Sequence, residues 1–256
     1  MDIGAVIVSF NSSATIVDSV LSVRKAGVDD VVVVDNASQD DSVRLAESLG
    51  VRVIKEDVNR GFAYACNRGA RELKWAVILF INPDAVLLPE SLRAAVSLFK
   101  SDLDIGVVGL SLVGPQGDPE PAGYGQCVTP LSLIFRHVAP VKKISKPLDV
   151  GWVSGGAMLV KSDAIGAAGG FDDSFFLYWE DVDLCRRLKA LGWRVVFYPE
   201  AQAVHVRGVS VGDGKRRALF YDASADNYFR KHYATPICLM HYWLRWIYRW
   251  LRPLAR

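Results

Sequence analysis

Residues 3–38 read IGAVIVSFNSSATIVDSVLSVRKAGVDDVVVVDNAS, and this stretch decides the fold class. Ile3 to Phe10 is a strand-length apolar run. A helix is expected over about 13–26, because Ile16, Val20 and Val23 fall at i, i+4 and i+7 and Gly27 follows as a stop. Four consecutive valines, Val31 to Val34, come next. Valine on both faces of one strand implies a sheet covered by helices on both sides, as in parallel βαβ units.

Outward from this unit the alternation continues. Ser38 is expected to cap a helix ending near Leu49 and Gly50, followed by a strand over Val51–Lys55, a helix at about 62–73 and a strand over Trp75–Ile81. Pro89 suits the first turn of a further helix, where an N–H is not needed. The regularity fades after Ser101, and six prolines and four glycines between Gly114 and Pro147 predict loops. Order returns at Gly151, with a strand over Trp152–Val160, a helix at about 180–191 and strands at 193–198 and 203–206. The fold class is therefore α/β, with a central, mostly parallel sheet flanked by helices. Three segments follow: a nucleotide-binding half at 1–113, an acceptor-binding half of the same domain at 114–236, and a terminal amphipathic helix at 237–256.

Composition narrows the function. A chain of 256 residues, 51% apolar and 23% charged, is globular rather than disordered or collagenous. Thirty Lys and Arg against 28 Asp and Glu leave a formal charge of +2, so no nucleic-acid partner is indicated. The longest apolar run of the first half, Trp75–Ile81, is far short of the roughly 20 residues that span a bilayer. Without a basic leader ahead of Ile3, no secretion signal is expected, and the location implied is cytoplasmic. Cys66, Cys127, Cys185 and Cys238 are too widely spaced for a metal knuckle or a disulfide scaffold.

In open α/β sheets, ligands bind beyond the carboxyl ends of the strands. Polar residues cluster at those ends: Ser9, Asn11 and Ser12; Asp35, Asn36 and Ser38; Asp57 and Asn59; Asn82 and Asp84. Each alone also reads as a strand terminator or a helix cap. Together they predict a polar crevice containing acids. No GxGxxG or GxxxxGK loop follows a strand, which disfavours a dinucleotide and favours a diphosphate held through a divalent metal, with Asp84 as ligand. The second constellation is Phe176 to Asp183, FLYWEDVD. Its acids could simply favour the positive end of a helix. Asp181, beside Tyr178 and Trp179, also has the character of a general base in a sugar-sized crevice, with aromatic faces for stacking. His205 ends a short strand ahead of a glycine-rich basic segment and reads as either structural or metal-binding.

These segments, with Val8-Ser9-Phe10-Asn11, Asn59-Arg60-Gly61-Phe62-Ala63, Asn82-Pro83-Asp84, Val153-Ser154-Gly155-Gly156 and Gly169-Gly170-Phe171-Asp172, occur in order over about residues 3–210. The chain resembles the family 2 inverting glycosyltransferases of GT-A fold, and within them the bacterial rhamnosyltransferase-like branch. The resemblance implies donor contacts from Ser9, Asn11, Asp35, Asn36, Asn59, Gly61, Asn67, Asn82 and Asp84, with Asp35 at the nucleoside base. It implies acceptor contacts from Gly155, Gly156, Trp179 and Glu180, Asp181 as catalytic base, and Mg²⁺ or Mn²⁺ on Asp84 and His205. Asn82 stands where the family's Asp-x-Asp motif has its first Asp. The branch implies transfer of L-rhamnose from dTDP-rhamnose to a saccharide or polyprenyl-linked acceptor in surface polysaccharide synthesis. The alternatives are another hexose, such as galactofuranose from a UDP donor, and a non-catalytic sugar-nucleotide or glycan-binding module. A nucleotidyltransferase is disfavoured, because Ser9-Phe10-Asn11-Ser12 is neither glycine-rich nor basic.

In the tail, a helical wheel puts Arg245, Arg249, Arg252 and Arg256 on one side and Trp243, Trp246, Ile247, Trp250 and Leu254 on the other, with Pro253 as a stop. Either the Trp face packs on the protein's own core, or the helix lies in the headgroup layer with its arginines on anionic lipid at the inner face of the cytoplasmic membrane.

Overall fold

The computed structural model describes residues 3–88, 90–120, 123–129, 146–205 and 214–251, with 246–251 as backbone only. The first half alternates as its sequence predicts: β1 (Ile3–Ser9), α1 (Ile16–Lys25), β2 (Val31–Asp35), α2 (Ser42–Ser48), β3 (Arg52–Lys55), α3 (Phe62–Ala70) and β4 (Val77–Ile81). There follow β5 (Ala85–Leu87), α4 (Ser91–Ser101), β6 (Ile105–Val113), β7 (Tyr124–Gly125), β8 (Leu148–Asp149), β9 (Trp152–Val153) and β10 (Ala157–Lys161). The chain continues through α5 (Ser162–Ala167), α6 (Glu180–Ala190), β11 (Arg194–His205), α7 (Gly214–His232) and α8 (Thr235–Leu251).

The main sheet runs β3-β2-β1-β4-β10-β6-β11-β5, with β8 on β11. β1 to β4, β6 and β11 point the same way, while β10 is inserted antiparallel between β4 and β6. Strands of the later half thus complete the sheet begun by the first. The four valines of β2 behave as their run implies. Val32 and Val34 enter the core beneath α3 and α6, whereas Val31 and Val33 enter the opposite core beneath α1, α2 and α4. Each is at most 2% exposed, a burial worth about 1.5–3 kcal/mol per side chain.

Several expectations need correction. Ser38 caps no helix; α2 begins at Ser42, and Ser38 instead donates to Asp35. The strand expected over Trp152–Val160 is broken at Ser154-Gly155-Gly156, so that β9 pairs with β7 and β10 with β4 and β6. The strands expected at 193–198 and 203–206 are one strand, with an irregular register between Tyr198 and Gln202. β5, β6, α5 and α7 have no counterpart in the sequence reading. Pro89, the segment 206–213 and most of the expected loop between Gly114 and Pro147 lie outside the described residues.

The terminal helix also departs from expectation. Arg245, placed on the lipid-facing side, donates to the Asp222 carbonyl at 2.8 Å and pairs with Asp226 on α7. Trp243, whose packing on the core was the other reading, is 65% exposed. The side chains of Trp246, Ile247, Arg249 and Trp250, and residues 252–256, lie outside the described residues. No helix among the described residues is long and apolar enough to cross a membrane.

Candidate functional site

Parallel register brings the ends of β1, β2 and β4 side by side, with Ser9 opposite Asp35 and Ile7 opposite Ile81. Beyond that edge lies a cavity of about 470 Å³, in the range of small-molecule sites. Asn36, Asn59, Gly61, Asn82, Asp84, Trp179, Asp181 and His205 are all in its wall. The carboxylates of Asp84 and Asp181, nearly a hundred positions apart in the chain, therefore share one cleft.

Ser9, Asn11, Asp35 and Asn67, the other expected donor contacts, are not among the residues of its wall. Asp35 is 2% exposed, and both carboxylate oxygens accept hydrogen bonds from Ser38, from its N–H at 2.9 Å and its hydroxyl at 2.6 Å. Asn11 accepts from the Gln39 N–H, while its own N–H donates to Ser38 Oγ. These residues knit the β1–α1 loop to the β2–α2 loop. Ser9 is buried there too, its hydroxyl without a partner among the described residues. Asn67 is turned to the other side of α3, where Nδ2 donates to the Phe171 carbonyl and Oδ1 accepts from the Phe171 N–H, each at 2.8 Å. Helical rotation thus makes it a tie to the 170–173 loop.

Asn36 and Asn59 shape the wall through glycine. Asn36 Nδ2 donates to the Gly61 carbonyl at 3.2 Å, and Asn59 Oδ1 accepts from the Gly61 N–H at 2.9 Å. Gly61 has φ +91°, and a Cβ there would lie 2.3 Å from the Phe176 carbonyl oxygen. Only glycine lets these two loops meet; the Phe62 N–H then donates to that carbonyl at 2.8 Å.

β5 pairs antiparallel with β11, with His205 opposite Ala85, and this places His205 against the adjacent Asp84. Nε2 is 3.1 Å from Asp84 Oδ1, and Nδ1 is 2.9 Å from Glu120 Oε1. Burial opposes a charge on this imidazole, but hydrogen bonds and charge from Asp84 and Glu120 outweigh it and raise the pKa from 6.5 to about 9. Glu120 comes from the proline-rich stretch and is absent from the sequence reading. Among the described residues no three His, Cys, Asp or Glu side chains form a ready metal cage. The carboxylate of Asp84 and the imidazole of His205 nonetheless fit a divalent cation that takes its other ligands from phosphate and water. Glu120 on Nδ1 supplies the backing that metal-binding histidines generally have.

Asp181 enters through an unusual turn. Tyr178 and Trp179 both have positive φ, 68° and 69°, and α6 starts immediately after. Asp181 Oδ2 accepts from the Gly155 N–H at 2.9 Å and Oδ1 from the Val182 N–H at 2.7 Å. The next residue, Gly156, accepts from the Asn82 N–H at 3.0 Å. Two consecutive glycines therefore strap the Asp84 loop to the Asp181 helix. A Cβ on Gly156 would sit 2.8 Å from the Leu112 side chain, which would have to shift to admit it. Rather than facing the cavity as expected of Gly155, Gly156 and Glu180, the first two act through backbone and Glu180 is buried. Burial, then the neighbouring Asp181, holds the Glu180 carboxyl well above the usual carboxylate range. Trp179 lines the cavity at its apolar edge, packed on Tyr221, Tyr228 and Phe229. Arg217 and Tyr221, from α7, complete the wall and are not anticipated in the sequence.

Comparison with known proteins bears on this cleft. The family model described as Glycosyl transferase family 2 matches residues 5–154. A curated relative, N-acetylglucosaminyl-diphospho-decaprenol L-rhamnosyltransferase of Mycobacterium tuberculosis (strain CDC 1551 / Oshkosh), is 29% identical over 213 residues, covering 71% of this chain and 68% of its own length. Among solved structures, the mannosyltransferase PcManGT from Pyrobaculum calidifontis in complex with GDP-Man and Mn²⁺ superposes with a TM-score of 0.63 at 20% identity, over 99% of this chain and 72% of that one. Glucosyl-3-phosphoglycerate synthase from Mycobacterium tuberculosis, in complex with Mn²⁺, UDP and phosphoglyceric acid, gives 0.63 at 16% identity over 89% and 77%.

Proposed function

The chain belongs to glycosyl transferase family 2, and from that premise we propose that it is an inverting, metal-dependent glycosyltransferase whose cleft lies between Asp84 and Asp181. The observation that supports the reading is that Asp84, the candidate metal ligand, and Asp181, the candidate base, both line one cavity of about 470 Å³. A non-catalytic binding module would have no need of both groups. Asp84 and His205 are the residues that would hold Mg²⁺ or Mn²⁺, and Asn36, Asn59, Gly61 and Asn82 would line the donor. The cation would neutralise the charge that develops on the departing nucleoside diphosphate.

The protein's own work is positioning and proton transfer. Asp181 would accept the proton of the acceptor hydroxyl as that oxygen attacks the anomeric carbon from the face opposite the leaving group, giving inversion. The N–H groups of Gly155 and Val182 fix the carboxylate orientation that this step requires. Trp179 closes the apolar side of the cleft, where it can meet a sugar face. The donor proposed is dTDP-L-rhamnose, supported by the name of the mycobacterial relative, and the acceptor is a saccharide or a polyprenyl-linked saccharide at the inner face of the cytoplasmic membrane.

The test is a transfer assay with dTDP-rhamnose, Mn²⁺ and a lipid-linked saccharide, comparing the natural protein with Asp181→Asn. Turnover is expected to fall by about 10² to 10⁴, the usual worth of a general base, while donor binding persists. An Asn variant that turns over at the natural rate removes Asp181 from the mechanism.

A further inference from the structure

The polarity of α8 is inverted with respect to the molecule it packs on. Cys238, His241 and Arg245 face inward: His241 is 1% exposed and stacks on Phe229 with ring centroids 4.0 Å apart, and Arg245 pairs with Asp226. Four of its described large apolar side chains point outward, with Leu239 62%, Met240 45%, Tyr242 36% and Trp243 65% exposed. These four share one side of the helix by their spacing. Isolated exposed apolar residues are ordinary on a protein surface. Four adjacent ones, on a helix whose His241 and Arg245 are engaged beneath it, mark an interaction face.

Charge selects the partner. Residues 227–256 contain six Lys and Arg and no Asp or Glu, whereas the whole chain is only +2; Lys231 and Arg245 are already paired with Asp183 and Asp226, so the cationic excess rests on Arg230, Arg249, Arg252 and Arg256. A second copy meeting the same face about a two-fold axis would bring two cationic tails together, at an electrostatic cost. An anionic lipid surface attracts such a tail, and Trp and Tyr beside Leu and Met are side chains that settle in the headgroup layer. The geometry points to the outward face of α8, carried by Leu239, Met240, Tyr242 and Trp243, as a docking surface for an anionic bilayer, with Arg245 serving as the anchor to α7. This deepens the proposed reaction at the membrane and rests on it for one consequence. Because α7 carries both Asp226, which fixes α8, and Tyr221 of the cavity wall, docking holds the cleft beside the phase in which a lipid-linked acceptor resides.

The experiment is flotation of the full chain with vesicles of phosphatidylglycerol and phosphatidylcholine, and with phosphatidylcholine alone. Binding is expected on the anionic vesicles, weakened by high salt and by about tenfold or more on the neutral ones. Leu239→Ser with Trp243→Ser should lower vesicle binding by about tenfold or more, with thermal unfolding and nucleotide binding unchanged; Trp243→Ser alone, read the same way, serves if the pair fails to fold. A double variant that floats like the natural protein overturns the proposal. So does a dimer, seen by light scattering, that depends on these side chains while vesicles remain unbound. Nucleotide binding, measured alongside, reports on the transferase reading separately from the lipid face.

Discussion

Glu120 stands behind His205 at 2.9 Å and fixes which ring nitrogen faces Asp84. If that pair holds a cation, Glu120→Gln should weaken Mn²⁺ affinity by about 10–100-fold, the usual effect of removing the group behind a metal-bound histidine. Titration calorimetry of Mn²⁺ in the presence of dTDP reads this, and equal affinities would detach Glu120 from metal binding. Gly61 is the second residue on which the site turns. Ala there adds about 1–3 kcal/mol of backbone strain at φ +91°, besides the overlap with the Phe176 carbonyl. Thermal unfolding should therefore shift downward and nucleotide binding weaken together; a variant with the natural melting temperature contradicts the close approach. Asp84, Asp181 and His205 were legible in the sequence because strand ends and a helix start announce them. Glu120 was not, since it sits in a proline-rich stretch with no period to place it. Asn67 shows the limit of a recognisable segment: it lies inside one, yet its side chain is tied to Phe171 and is not part of the cavity wall.

At the scale of elements, α6 and α7 are clamped by charge. Asp183, fully buried, accepts from Arg187 and His232 at 2.7 Å each and is met by Lys231 at 2.8 Å, while Lys231 also reaches Asp172. Burial alone would raise the Asp172 pKa, but hydrogen bonds from Lys231 and Ser174 outweigh it and bring the value from 3.8 to about 2. The folded state therefore binds the proton more weakly than the unfolded chain. Stabilisation from this carboxylate is complete above the unfolded value of 3.8 and is lost as pH falls from there through about 2. The Asp183 carboxyl is lowered as well, so it acts with the same sign. Lys231→Met should lower the urea midpoint at pH 6 and flatten its fall between pH 4 and 2. Parallel curves for the two proteins would place the acid sensitivity elsewhere. Element recognition followed hydrophobic contrast: β1 to β4 were legible, whereas β6 is interrupted by Gly106, Gly109 and Ser111. α7 escaped because its basic, polar start at Gly214-Lys-Arg-Arg looks like loop until α6 and α8 are packed on it.

Across the whole molecule, the cleft has no owner in either half of the chain. Asn36, Asn59 and Asp84 come from the first half, and Asp181, His205 and Arg217 from the second. The two halves also share one sheet, through β10 between β4 and β6. A ligand in the cleft should then stabilise the entire fold in a single transition. At a free donor concentration about a hundredfold above its dissociation constant, binding adds about 2.7 kcal/mol. With about 2–4 °C per kcal/mol for a chain of this size, the melting temperature should rise by about 5–10 °C. The rise should be larger with dTDP than with UDP or GDP, should require Mn²⁺ or Mg²⁺, and should vanish in EDTA. Differential scanning calorimetry separates the possibilities. If the chain melts in two steps and only one responds, the cleft belongs to one half. If dTDP raises the melting temperature equally in chelator, the cation is not part of the donor site, and Asp84 with His205 loses the role of metal holder.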